Sequence, residues 1–209
     1  MNITQPSFYV NDLEIPQAIS QPSIGSNTPT ASDKLKDCIT YVERSVLLNA
    51  LGLANYNLLQ TALADLPASA QKWKDLVDGK EYDGKKWIGL KDPKSLLCYA
   101  VYYHFLDENS AFWSTMGIIK PESENSNNVT PAFKLATAYQ KFIRKYQGGC
   151  VIEPERYEGI GFEYADYYGS SEEVEVSLYQ YLRDQGDDFD FKVNPKFRVY
   201  SSTLNSFGL

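Results

Sequence analysis

Residues 91–109, KDPKSLLCYAVYYHFLDEN, decide the fold. Asp92 can cap a helix, and Pro93 suits its first turn because proline's fixed φ is helical and the N–H it lacks has no intrahelical partner there. The helix this predicts, from Pro93 to Asn109, carries Leu96, Leu97, Tyr99, Ala100, Val101, Tyr102, Tyr103, Phe105 and Leu106. A helix apolar on nearly every side must be covered all round. One domain can do that alone, or a neighbouring subunit can supply the missing cover. The apolar run Leu96–Leu106 is about half of what a membrane span needs and contains His104, so it is not read as one.

Downstream, Thr130-Pro131 repeats the cap-then-proline signal and opens a helix to Tyr146, closed by Gly148-Gly149. Leu135, Tyr139, Phe142, Ile143 and Tyr146 lie on one of its faces. Between the two helices, residues 110–129 read as a connector loop with Phe112, Trp113 and Met116 near its start and a polar run, PESENSNN, at 121–128. A loop this long in a compact domain is commonly functional; the alternative is that Phe112 and Trp113 fold back on their own core, which is favoured for Trp113 alone.

Upstream, Asp83-Gly84 between Tyr82 and Trp87 predicts a hairpin over about 80–89. Before it, Ser32 caps a helix to Ala50 with Leu35, Ile39, Val42 and Val46 at helical spacing, and Gly52 ends it. Asn55–Leu66 forms a second helix, and Pro67 starts a third that carries Trp73, Leu76 and Val77 to Gly79. A last helix is expected from Ser171 to Gln185, opened by Ser170 and Glu173 at capping-box spacing, with Val174, Leu178, Tyr181 and Leu182 inward.

Residues 1–31 hold Pro6, Pro16, Pro22 and Pro29 among Ser, Asn, Thr and Gln, and read as an extended arm that buries little. Residues 186–209 read as an extended or β tail, leaving a helical domain over 32–185. The fold class is therefore mainly α: a bundle of about five to six helices with a short β-hairpin insertion and extended N- and C-terminal arms.

Composition narrows the function. A net charge of −7 argues against tight binding to nucleic-acid phosphates, which requires clustered Lys and Arg. The charge is uneven: residues 72–94 hold seven Lys against five acids, whereas 153–190 hold twelve acids against Arg156 and Arg183. Such patches either associate head to tail between copies or are solvated faces. Sixteen tyrosines suit surfaces that are sometimes wet and sometimes buried. Cys38, Cys98 and Cys150 are too widely spaced for a disulfide framework or a zinc site. The first residues, MNITQPSFYV, lack a basic start and an apolar core, so a soluble protein of a reducing compartment is expected.

No catalytic motif is present, and neither a catalytic residue nor a cofactor or metal site is assigned. His104 is the sole histidine, set between Tyr103 and Phe105 as a core or interface imidazole. Asp184, Asp187, Asp188 and Asp190 lack the offsets of a calcium loop and read as a solvated helix exit. Glu153, Glu155 and Glu158 offer only a weak carboxylate pair for glycoside hydrolysis.

The order Trp87-Ile88-Gly89-Leu90, Ala100 to Leu106, Gly117 with Lys120, Glu124-Asn125-Ser126, Val129-Thr130-Pro131 and Lys134-Leu135 resembles neck proteins of tailed bacteriophages. They are the head-to-tail adaptor type, as found in phages and prophages of gut Bacteroidota. Tyr41-Val42-Glu43, Leu47-Leu48 and Leu51-Gly52 fit as well, and the likeness spans about residues 33–146. It implies a small helical bundle that forms a ring, typically dodecameric, against the portal protein and other neck or tail proteins. DNA would pass through without specific binding, and the protein would sit in the virion neck after assembly in the host cytoplasm. The residues expected at subunit or partner interfaces are Phe8, Tyr9, Tyr102, Tyr103, Phe112, Trp113, Met116, Phe197 and Tyr200. The alternatives are a monomeric Tyr-rich module that binds a peptide or glycan and, more remotely, a carboxylate-based hydrolase.

Overall fold

The long first helix, α1 (Ala31–Ala64), buries Leu35, Ile39, Val42, Val46 and Ala50 along one stripe, as their spacing requires. Gly52 breaks it with φ 70° and ψ 166°, but the chain resumes its helix at once instead of at Asn55. The computed structural model describes residues 2–15, 31–109, 112–114, 117–119, 132–148 and 174–189. Over these it is mainly helical, with a two-stranded antiparallel hairpin. Among them, no helix is long and apolar enough to cross a membrane.

Helix α2 (Gln71–Asp78) starts later than Pro67 suggests. Leu66–Ala68 forms a separate 3₁₀ turn capped by Asp65, whose side chain accepts from the Ala68 N–H. Gly79 (φ 101°) ends α2 and leads into β1 (Lys80–Tyr82), which pairs antiparallel with β2 (Lys85–Trp87). Asp83 and Gly84 both have positive φ, 46° and 73°, as a two-residue turn that follows the strand twist demands. The base of this hairpin is tight. A Cβ on Gly89 would lie 2.6 Å from the Gly79 nitrogen, so the two glycines let the strands close over the end of α2. There the N–H groups of Leu90 and Lys91 donate to the carbonyls of Leu76 and Val77, which have no partner within the helix.

Asp92 forms a turn, its side chain accepting from the Lys94 N–H at 2.6 Å, and α3 (Leu96–Asn109) follows. The helix begins at Leu96, three residues after Pro93. It buries Leu96 through Tyr102 and Phe105, and it packs against α1 and against α4 (Ala132–Gln147). The N-terminal segment supplies further cover: Ile3, Tyr9, Leu13 and Ile15 join the same core, with the turn Pro6–Phe8 on α1 and Asn11–Leu13 on α3. One expectation is corrected here: residues 2–15 are not an arm that buries little. Of the two sources of cover open for α3, its own chain supplies it.

Strands β3 (Phe112–Ser114) and β4 (Gly117–Ile119) pair antiparallel, so the start of the expected connector loop is a second hairpin. The last helix is shorter than Ser170 and Glu173 suggest. Val174 and Glu175 form β5, parallel to β2, and α5 (Leu178–Asp184) begins after Ser177, whose Oγ accepts from the Gln180 N–H. Leu178, Tyr181 and Leu182 are buried as expected. The turn Gly186–Phe189 is helical, not extended, and Phe189 is buried against Trp73 with ring centroids 5.5 Å apart. The rest of the expected tail lies outside the described residues.

Candidate interaction surface

Among the residues expected at interfaces, Tyr9 and Tyr102 are buried within the chain itself, at 1% and 4% exposure, and cannot present their rings to a partner. Burial also holds both phenols in their protonated form: desolvation raises each pKa, for Tyr9 well above the usual value. Phe8 and Tyr103 are half-buried, and Tyr103 packs on Tyr139 with centroids 5.2 Å apart. Phe112 and Trp113 belong to β3, their backbones opposite Ile119 and Ile118. Met116, Phe197 and Tyr200 lie outside the described residues, as do Glu153, Glu155 and Glu158. Among the described residues, the large apolar side chains left open to water are Tyr41, Leu53 and Leu58 on α1, Phe133 on α4, and Val10.

The basic and acidic stretches meet inside one molecule. Asp184 on α5 accepts from the Tyr82 hydroxyl at 3.0 Å, the Lys85 ammonium at 3.1 Å and the Gln180 amide at 2.6 Å. The Lys72 ammonium donates to the Asp188 carbonyl at 2.6 Å and that of Lys80 to the Gln185 side-chain oxygen at 3.1 Å, while Lys80 also pairs with Asp75 of its own stretch at 3.0 Å and Lys145 of α4 pairs with Glu175. Asp184 is thus tied to the hairpin and is not part of a freely solvated helix exit.

A buried acid that composition and spacing did not single out is Glu43. It is 3% exposed and takes three hydrogen bonds from the N-terminal segment: Ile3 N–H at 2.9 Å, Thr4 N–H at 2.7 Å and Thr4 Oγ–H at 2.6 Å. Desolvation raises its pKa, while the hydrogen bonds from Thr4 and Ile3 oppose the shift. A signal was available, since Glu43 sits four residues after Ile39 and beside Val42, on the buried stripe of α1. An acid at a core-facing position needs partners.

A cavity of about 520 Å³ between α1 and the end of α3 is lined by Lys34, Asp37, Cys38, Tyr41, Glu108 and Asn109. Its thiol is inert, because burial pushes the Cys38 pKa up to about 12, and no imidazole lines it. His104 is half-buried, edge-on to Tyr103, and desolvation lowers its pKa, so the ring is neutral at neutral pH. A second recess of about 160 Å³ lies between α4 and β5, lined by Lys141, Arg144, Lys145, Glu175, Val176 and Ser177. Among the described residues, no three His, Cys, Asp or Glu side chains converge as metal ligands would. Comparisons with protein-family models, with curated proteins and with solved structures give no match to this chain.

Proposed function

We propose that this chain is a structural protein of the tailed-phage neck, a head-to-tail adaptor that assembles as a ring between portal and tail while DNA passes through. The observation that supports this reading best is the use made of converging polar side chains. Glu43 fastens the N-terminal segment to α1, and Asp184 fastens the hairpin to α5. Polar groups committed to holding one chain together suit a rigid building block, and in the two recesses the Cys38 thiol is pushed up to about 12 while the Ser177 hydroxyl caps α5. Because α3 is covered by its own chain, the ring contacts fall to other surfaces. A closed ring needs one patch to meet a different patch on the next copy. Among the described residues, Tyr41, Leu53 and Leu58 on α1 and Phe133 on α4 are exposed apolar groups that can provide them.

The monomeric Tyr-rich module fits less well, because Tyr9 and Tyr102 are not available to a ligand. The test is assembly on portal rings from the phage or prophage that encodes this chain, followed by electron microscopy. A ring of this protein stacked on the portal is expected, and Leu53→Asp with Phe133→Asp should abolish it. Failure of the wild-type chain to associate with portal rings overturns the reading.

A further inference from the structure

The N-terminal segment is built like a bound peptide. Its backbone hydrogen bonds are internal: Phe8 N–H to the Gln5 carbonyl, Tyr9 to Pro6, Leu13 to Val10 and Ile15 to Tyr9. The bonds that tie it to α1 run to two side chains, from Ile3 and Thr4 to Glu43 and from the Asn2 amide to the Thr40 hydroxyl at 2.8 Å. Ile3, Tyr9, Leu13 and Ile15 fill the groove between α1 and α3, and no strand ladder joins segment to body. Side-chain contacts therefore hold the segment to the body, in an apolar groove with a carboxylate at one end.

We propose that this groove receives residues 2–15 of a second copy, so that the segment is exchanged between molecules. The groove reads this sequence in register, through two consecutive main-chain N–H groups, one hydroxyl and four apolar side chains. Exchange reproduces every one of these contacts in another molecule. The fifteen residues 16–30 span at most about 50 Å when extended, set against a radius of gyration of about 17 Å for a chain of this length. A neighbouring groove is within reach, and concentration decides between the two forms. The proposal does not rest on the neck reading and is tested on the purified chain alone.

The Asn2 amide and the Thr40 hydroxyl meet at 2.8 Å on the surface, one from the segment and one from the body. Equal amounts of isotopically heavy and light full-length chain carrying Asn2→Cys and Thr40→Cys are refolded together at rising concentration and oxidised. Mass spectrometry then follows the disulfide between positions 2 and 40. Exchange predicts heavy–light pairs that increase with concentration toward half of that disulfide, while a carbodiimide cross-link between Glu81 and Lys86 within the hairpin stays single-isotope. Disulfides of a single isotope at every concentration overturn the proposal.

Discussion

The indole of Trp87 lies stacked on the ring of Tyr181, centroids 5.1 Å apart and planes 18° from parallel. The contact joins β2 to α5, and its neighbours make it a node. Trp87 Nε1–H donates to the Leu76 carbonyl at 3.0 Å, and Tyr82 and Phe189 meet Tyr181 edge-on at 6.0 and 6.5 Å. Removing a buried ring of this size costs about 3–5 kcal/mol, of which the stacking itself supplies about 0.5–1.5 kcal/mol. Tyr181→Ala is expected to lower the urea midpoint sharply and to expose the loosened C-terminal segment to limited proteolysis. Tyr181→Phe keeps the ring and should stay close to wild type. Equal behaviour of the two variants would show that the stack carries no stability.

The base of the hairpin gives a cleaner contrast. At Gly89 (φ 86°) a Cβ would meet the Gly79 nitrogen and the Val77 carbonyl oxygen, both at 2.6 Å, and the Asp78 carbonyl carbon at 2.7 Å, and all three are backbone groups with little room to move. Gly84 (φ 73°) has a similar backbone but nothing within 4 Å of its Cβ. Each alanine pays the left-handed penalty of about 1–2 kcal/mol. Only Gly89→Ala adds a clash, so its melting temperature should fall clearly further than that of Gly84→Ala. Matching losses would mean that the close approach to Gly79 is relieved by other means.

Much of this architecture is legible in local chemistry. Asp83-Gly84 specifies its turn, Gly79 and Gly148 stop their helices, and the stripe from Leu35 to Val46 fixes the buried side of α1. What escapes a local reading depends on distant partners. Val174 and Glu175 look helical in sequence and become a strand because β2 offers an open edge. Ile3, Tyr9, Leu13 and Ile15 follow neither a period of two nor one of 3.6, so their burial is invisible until α1 and α3 form the groove. Residue type misleads at the candidate surface too. Tyr102 has the amphipathic ring of an interface residue, yet its position on α3 puts it in the core.

Cys38 and Cys98 bear on chemical labelling. Both are buried, and desolvation pushes each thiol up to about 12. The thiolate is the nucleophile, so at pH 8 its population falls by about a thousandfold relative to an unperturbed cysteine. Iodoacetamide should leave both unmodified in the native protein over hours and alkylate both within minutes in denaturant. Peptide-level mass spectrometry reads them separately. Rapid native labelling of Cys98 would show that the core around Ser95 and Asp92 opens readily.

Glu43 sets a pH dependence whose sign is opposite to that of a surface ion pair. Burial raises its pKa above the ordinary value, so the folded protein holds this proton at pH values where the unfolded chain has released it. Between those two pKa values the folded state binds more protons, and stability falls as pH rises. The Glu43 contribution is therefore fully present below the ordinary glutamate range and declines until the folded pKa is passed. Glu43→Gln removes this titration. It also sets an amide N–H against the N–H of Ile3 or those of Thr4, at a cost of about 1–3 kcal/mol for the unsatisfied buried donor. Urea denaturation of both proteins from pH 4 to pH 7 isolates the residue, because the other carboxylates cancel in the difference. The wild-type advantage over Glu43→Gln should be greatest at the acid end and shrink toward neutrality. An advantage that grows with pH would mean that the hydrogen bonds from Ile3 and Thr4 outweigh desolvation and hold the carboxylate in its charged form.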